Sequence, residues 1–173
     1  GVERDYETAI AWQKKLVELL VKQFETENSE QNALRVADAY RRLGDYQYEK
    51  RDLKAAADSC TAVMRYTNDV VFQSSASKRD YSVSCGSMGD IRKAEGKLSE
   101  AAEFYKKSLE LDTQLASEMG TESARGGLSF SCRRMGDVRK EEGKLSEAAR
   151  YYQNFRELSE QLALEIGTVS ART

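Results

Sequence analysis

The sequence contains no histidine and no proline among its 173 residues, and only three cysteines. Without histidine it lacks the commonest general base and the commonest metal ligand of proteins. Cys60, Cys85 and Cys132 lie 25 and 47 residues apart, which matches no zinc-binding spacing. An odd number of widely separated cysteines also argues against a disulfide framework and favours a reducing, cytoplasmic setting. We therefore expect no metal, no cofactor and no catalytic residue.

The missing prolines and the charge pattern narrow the class of protein further. A chain of this length would ordinarily hold about eight prolines, whereas a helical chain with glycine turns can dispense with them. The 27 basic and 29 acidic residues alternate along the chain, and without a basic block we expect no nucleic-acid partner. Since no run of about 18 apolar residues occurs, we expect no membrane span and no membrane partner.

The chain repeats itself. Residues 82–125 align without a gap on residues 129–172, and 28 of the 44 positions are identical. A weaker copy begins upstream, where Leu43-Gly44-Asp45 matches Met88-Gly89-Asp90. The sequence therefore predicts a repeat protein, divided into the second helix of a partial repeat (1–27), three full repeats (28–74, 75–120 and 121–167) and the start of a further repeat (168–173).

Each repeat carries the signals of two helices. In the third, Thr121 is a suitable N-cap for a helix that ends near Glu142, and Gly143 supplies the turn. Ser146 is then expected to cap a second helix, which Gly167 ends near Ile166. Apolar residues recur at steps of three and four, as on a broad helical stripe, and no segment shows the two-residue alternation of a strand.

Two local features add expectations. Asn28 stands where Gly120 and Gly167 stand later, so it is expected to take the left-handed conformation. Gly126-Gly127 falls within a helix and predicts a kink or a frayed first turn, with a hinge as the alternative.

Small residues are expected where helices come closest, at Gly89 and Gly136 on first helices and at Ala101 and Ala148 on second helices. Tyr105 and Tyr152 would then fill the space between neighbouring repeats. The three cysteines are expected to be small buried core residues.

These residues resemble the tetratricopeptide repeat. That motif has a large apolar residue followed by Leu-Gly. A second glycine comes seven residues after the first, and an alanine and an aromatic residue follow it. The slots are filled by Met88-Gly89, Gly96, Ala101 and Tyr105 in one repeat, and by Met135-Gly136, Gly143, Ala148 and Tyr152 in the next. In the first full repeat Leu43-Gly44 and Ala56 fit, while Arg51 replaces the second glycine and Cys60 the aromatic residue. The period of 45 to 47 exceeds the usual 34, as in a long-repeat subfamily common in bacterial proteins.

The resemblance implies an all-α superhelix, or solenoid, of tandem antiparallel helix pairs, with the first helix of each repeat lining a concave groove. The implied groove positions are Asp38, Arg41, Asp45 and Tyr48 in the first full repeat, Val83, Gly86, Asp90 and Lys93 in the second, and Phe130, Arg133, Asp137 and Lys140 in the third. A mixed-charge lining with aromatic residues suits a peptide. Asp90 with Lys93, and Asp137 with Lys140, are equally i,i+3 pairs of a solvated helix.

The function expected on these grounds is a scaffold that binds a protein or a peptide through the groove. The alternative is a ligand- or peptide-sensing regulatory module of a larger multidomain bacterial protein. Some relatives bind a carboxylate through an asparagine in the groove, but Asp45, Asp90 and Asp137 occupy that slot here and would repel it. Trp12 aligns with Phe104 and Tyr151. It is expected to be partly exposed if no helix covers it, which leaves open a weak homodimer through the ends of the array.

Overall fold

The computed structural model of the chain describes residues 5–68 and 74–170, with side chains as far as residue 165. Within these ranges the secondary structure is seven α-helices and no strand. The helices are α1 (Tyr6–Thr26), α2 (Glu30–Glu49), α3 (Leu53–Thr67), α4 (Ser75–Ala94), α5 (Leu98–Met119), α6 (Glu122–Glu141) and α7 (Leu145–Ser170). The all-α prediction is confirmed.

The chain divides into two compact units, Gly1–Ile91 and Arg92–Thr173. In the first unit α1 packs on α2, and α2 on α3. Val17 of α1 forms a small core with Ala39 and Leu43 of α2. Gln13 adds a polar contact to this core, since its side-chain amide donates to the carbonyl oxygen of Ala39 at 2.9 Å.

In the second unit α6 packs on both α5 and α7. Tyr105 of α5 is 1 % exposed and lies in one core cluster with Ala101, Ala102, Met135 and Val138. Because Met135 and Val138 belong to the helix that follows α5, Tyr105 fills the space between two successive repeats. That prediction is confirmed.

The short turns inside the hairpins depend on one left-handed residue each. Gly96 and Gly143 have φ of +77° and +78°, as predicted from their place after a first helix. Arg51 holds the same position in the first full repeat and has φ of +64°. The turn therefore keeps its geometry in all three hairpins, although a side chain replaces the glycine in one of them.

Some of the predicted helix ends are correct. Thr121 caps α6, and its hydroxyl accepts from the amide of Ala124 at 3.3 Å. Gly120 ends α5 in the left-handed conformation, with φ of +59°. Ser146, by contrast, lies inside α7, which begins at Leu145.

Other predicted helix ends are wrong. Asn28 does not take positive φ, since Arg51 is the one non-glycine residue with that conformation in the described part of the chain. The end of α1 is instead set by Glu27 in extended conformation. The expected stop at Gly167 is also wrong, because α7 runs through it to Ser170.

The glycine pair in α6 is accommodated by packing. The helix begins upstream at Glu122, so the expected frayed first turn is wrong. A Cβ on Gly127 would lie 3.5 Å from Oδ1 of Asp112, whereas Gly126 faces open space. Asp112 is only 8 % exposed and accepts a hydrogen bond from Ser131. Gly127 thus leaves room for a buried carboxylate between α5 and α6.

Gly136 lies at a close contact between α6 and α7 in the second unit. A Cβ at this residue would lie 2.7 Å from Cε1 of Tyr152, so a side chain there would overlap the ring. The prediction that Gly136 serves a close helix approach is confirmed. The ring of Tyr152 packs against Gly136 of its own hairpin, and its predicted place between this repeat and the following one stays a prediction. In the described residues, no helix is both long and apolar enough to cross a bilayer.

Candidate interaction surface

Four of the predicted groove residues lie on α2, where ion pairs link three of them. Asp38 pairs with Arg41 and with Nε of Arg42 at 2.9 Å. Nη1 of Arg41 lies 3.6 Å from the carboxylate of Asp45. The fourth residue, Tyr48, is half-buried. The polar face of α2 is therefore a chain of alternating charges along the helix.

Asp80 of α4 joins this charged face, and the sequence analysis missed it. Burial raises the pKa of Asp80 and the charge of Asp38 raises it further, while Arg41 opposes both. The carboxylate of Asp80 thus lies within the field of the Asp38–Arg41 pair on the neighbouring helix. The sequence held one signal for Asp80, namely the repeat alignment. The position that is glycine in the third repeat, Gly127, is an aspartate in the second.

Asp45 and Asp90 act on the same buried thiol in the first unit. Burial raises the pKa of Cys60 to about 12, and the carboxylates of Asp45 and Asp90 add to the effect. Partial desolvation also raises the pKa of Asp45 itself, with Arg41 opposing. Both aspartates therefore lie near enough to Cys60 to affect it, and the raised pKa makes Cys60 a poor nucleophile.

The other predicted groove residues of α4 differ in their exposure and in their contacts. Val83 is 39 % exposed, as expected for a surface position. Gly86 is buried, so its predicted exposure is wrong. Nζ of Lys93 lies 3.4 Å from the carboxylate of Glu141 on α6, which makes Lys93 a link between two successive first helices.

The second unit presents an aromatic ring with two cations beside it. Phe130 of α6 is 42 % exposed. The guanidinium carbons of Arg133 and Arg134 lie 4.6 Å and 4.4 Å from the centre of its ring. Arg134 also lies 5.9 Å from the ring centre of Tyr105, and it was not among the predicted residues. We call Phe130, Arg133 and Arg134 the arginine–aromatic cluster.

Asp137 is held within its own hairpin. The hydroxyl of Tyr152 donates to Oδ1 of Asp137 at 2.8 Å. Burial, this hydrogen bond and the aspartate charge together raise the pKa of Tyr152 to about 12. Asp137 consequently supports the α6–α7 packing, whereas Lys140, one turn further on, is exposed.

The described residues include no group of three or more cysteine, aspartate or glutamate side chains that could hold a metal ion. The three cysteines are buried thiols, as predicted, and burial raises the pKa of Cys132 as well as that of Cys60.

Successive antiparallel helix pairs with left-handed turns define a helical-repeat protein. Residues 83–115 match the model of the tetratricopeptide repeat. Over these residues the match confirms the resemblance that Met88-Gly89, Gly96, Ala101 and Tyr105 predicted.

Solved structures of low sequence identity share this fold. BtubC (BKLC) from P. vanneervenii is 17 % identical with a TM-score of 0.73, and the match covers 93 % of this chain but only 59 % of BtubC. MamA is 18 % identical with a TM-score of 0.54, over 92 % of this chain and 88 % of MamA. A second MamA structure gives 19 % identity and a TM-score of 0.51. No curated protein matches the sequence.

Proposed function

We propose that the chain is a scaffold that binds an extended peptide segment of a partner protein through the surface of its first helices. The observation that carries this proposal is the arginine–aromatic cluster. An exposed phenylalanine beside two guanidinium groups combines apolar contact area with fixed positive charge. Aromatic residues and arginine are also the side chains that dominate binding energy at protein interfaces.

The chemistry of the partner follows from the charges on each unit. The arginine–aromatic cluster suits acidic and apolar side chains. The α2 face, with Asp38, Arg41 and Asp45, offers charges of both signs to polar groups of a peptide. On each unit, the exposed side chains of the first helix would contact polar and apolar groups of an extended segment.

A binding role without catalysis agrees with the state of the thiols. Cys60 and Cys132 are buried with raised pKa values, whereas a nucleophilic cysteine needs a lowered one. We also propose a cytoplasmic location, since three thiols without a disulfide suit a reducing compartment.

The test uses a phage-displayed library of random peptides selected on the immobilised chain. Selected peptides are then measured by titration against the variant Phe130→Ala/Arg133→Glu. We expect enrichment of acidic and aromatic sequences, and at least about tenfold weaker binding to the variant, as truncation of an interface anchor costs about 2 kcal/mol.

The matched control is Arg150→Glu, an equal change of charge at an exposed residue of the second helix α7. Circular dichroism of both variants checks that helicity is kept. Peptides that bind wild type and the Phe130→Ala/Arg133→Glu variant equally well would refute the proposed surface.

A further inference from the structure

A groove of about 380 Å³ opens in the second unit between α5, α6 and α7. Its lining residues are Leu109, Thr113, Leu128, Cys132, Tyr151, Asn154, Glu157, Leu158 and Gln161. Cys132 is buried, the three leucines and Tyr151 are half-buried, and the four polar residues are exposed. The groove therefore has an apolar interior and a polar rim, and we call it the α5–α7 groove.

In the first unit, aromatic rings join the three corresponding helices. The repeat alignment places α1, α2 and α3 on α5, α6 and α7 at one constant offset. Phe24, Tyr40 and Tyr66 each come from a different one of these helices. The ring centres of Phe24 and Tyr66 are 5.4 Å apart, and those of Tyr40 and Tyr66 are 6.0 Å apart. Side chains of the chain itself thus fill the space between α1, α2 and α3.

The second unit lacks all three rings. At their positions in the alignment lie Ala116, Cys132 and Leu158, and the last two line the α5–α7 groove. Tyr151, at the position of Ser59, adds a ring to the groove but is itself half-buried. A smaller side chain leaves a cavity wherever the surrounding structure does not close over it. The α5–α7 groove is therefore a space that aromatic side chains occupy in the other unit.

The burial of the neighbouring residues differs in the same sense. Val17 and Val36 of the first unit are 6 % and 0 % exposed. Their counterparts Leu109 and Leu128 are only half-buried, although leucine is the larger residue. Apolar surface that is covered in the first unit is thus accessible in the second.

The α5–α7 groove is formed entirely by helices that the structure describes. Ala101 and Tyr105 of α5 belong to the core cluster shared with the following helix α6. By the repeat alignment, α7 would present Ala148 and Tyr152 to a helix that follows it. Neither residue lines the groove, so a further repeat would leave the groove open.

The lining residues favour a neutral aromatic ligand. The thiol of Cys132 and the ring of Tyr151 both make favourable contacts with an aromatic ring. At the rim, the side-chain amide of Asn154 and the carboxylate of Glu157 can accept a hydrogen bond from a hydroxyl group. Glu157 already accepts from Gln153 at 2.9 Å and has further lone pairs, while its charge disfavours an anionic ligand.

We propose that the α5–α7 groove binds a small neutral aromatic compound of one or two rings that carries a hydroxyl group. The volume is in the range of small-molecule sites, and purely apolar cavities already bind simple aromatic molecules. The site is separate from the arginine–aromatic cluster. Leu128 and Cys132 share one face of α6, whereas Phe130 lies about 200° around the helix from each of them.

The probe is 2-naphthol, a two-ring phenol whose own fluorescence reports its surroundings. On titration with the whole chain we expect a saturable change that fits one molecule per chain. Decahydro-2-naphthol, the saturated analogue, should compete about fivefold more weakly, because it lacks the aromatic contacts.

The variant Cys132→Tyr/Leu158→Tyr restores the two tyrosines of the first unit and fills the groove. It should bind 2-naphthol at least about tenfold more weakly, since the new rings occupy the volume that the ligand needs. The matched control Arg150→Tyr adds a ring at an exposed α7 residue outside the groove and should bind like wild type. Circular dichroism checks that both variants keep their helicity.

Hydrogen exchange of the wild-type chain locates the site without any variant. With 2-naphthol bound, amide protection should rise in α6 and α7 and stay unchanged in α2 and α3, because a ligand stabilises the helices that hold it.

Three results would overturn the inference. The first is the absence of saturable 2-naphthol binding. The second is equal affinity of wild type and the folded Cys132→Tyr/Leu158→Tyr variant, or protection that rises in α2 and α3 instead. The third is a peptide Gly-Tyr-Gly that competes more strongly than 2-naphthol binds, which would make a tyrosine side chain of another protein the occupant.

Discussion

At the scale of single residues, Arg51 shows how a repeat tolerates the loss of its turn glycine. The left-handed conformation brings Cβ close to the following carbonyl oxygen, which costs an L-residue about 1 kcal/mol. Arg51 nevertheless keeps φ of +64°, since the hairpin requires that geometry. The amide of Arg51 donates to the carbonyl oxygen of Tyr48 at 2.9 Å, and the next residue, Asp52, caps α3.

Arg51→Gly is expected to stabilise the chain by about 0.5 kcal/mol. The relief of strain is partly offset by the greater freedom of glycine in the unfolded chain. Urea denaturation followed by circular dichroism measures the difference. The reverse change Gly143→Arg, at the equivalent turn, should destabilise by about 1 kcal/mol, and a lower stability of Arg51→Gly would contradict the argument.

At the scale of elements, two of the hairpin turns carry the same cluster of charges. At the α6–α7 turn, the carboxylate of Glu142 lies 2.6 Å from Nη1 of Arg139 and 3.0 Å from Nζ of Lys144. The α4–α5 turn repeats these pairs with Arg92, Glu95 and Lys97, at 2.7 Å and 3.0 Å. Through its ion pairs, each cluster links the last turn of a first helix to the start of the second helix of the same hairpin.

These clusters predict a loss of stability in acid. Burial alone would raise the pKa of Glu142, but the hydrogen bonds and charges of Arg139 and Lys144 outweigh it and hold the pKa below the usual 4.5. Because the folded pKa is below the unfolded one, the stabilisation is complete above the unfolded pKa. It disappears as the pH falls through the folded pKa.

The free energy of unfolding of the Glu142→Gln variant should therefore be lower than that of wild type at neutral pH. Between about pH 6 and pH 3 it should fall less than that of wild type. Chemical denaturation at several pH values measures both effects. Glu103→Gln, a change at an exposed glutamate of α5, is the matched control. Parallel pH profiles of wild type and Glu142→Gln would disprove a role for the cluster.

At the scale of the whole molecule, stability is distributed over neighbouring helices. In the described residues the packing within each unit joins helices that are adjacent in the chain, α1 with α2 and α2 with α3, then α5 with α6 and α6 with α7. In repeat proteins the total stability is approximately a sum over repeats and their interfaces. A local defect is then expected to have a local effect.

Gly136→Ala tests this expectation, since its Cβ would overlap the ring of Tyr152. Overpacking of this kind costs about 1–3 kcal/mol. Hydrogen exchange should accelerate in α6 and α7 and change little in α1 and α2. Gly126→Ala, which meets open space, should instead stabilise α6 by up to about 1 kcal/mol. Equal loss of protection along all helices would contradict a distributed stability.

The number and order of the helices, the left-handed glycines and the buried cysteines could be predicted from the sequence alone. Each follows from local patterns, such as the apolar steps of three and four residues or a glycine after a charged helix end. The groove residues, including Asp90 and Lys140, were placed by resemblance, and their binding role remains a proposal.

Only the tertiary structure determined which residues contact side chains of a neighbouring helix. Asp137 binds the hydroxyl of Tyr152, Arg134 lies beside the ring of Tyr105, and Gly127 makes room for Asp112. The two partners of each pair are at least 15 residues apart in the sequence and belong to different helices. Their contacts depend on the distance and rotation at which two helices pack, and the sequence pattern of a single helix does not specify either.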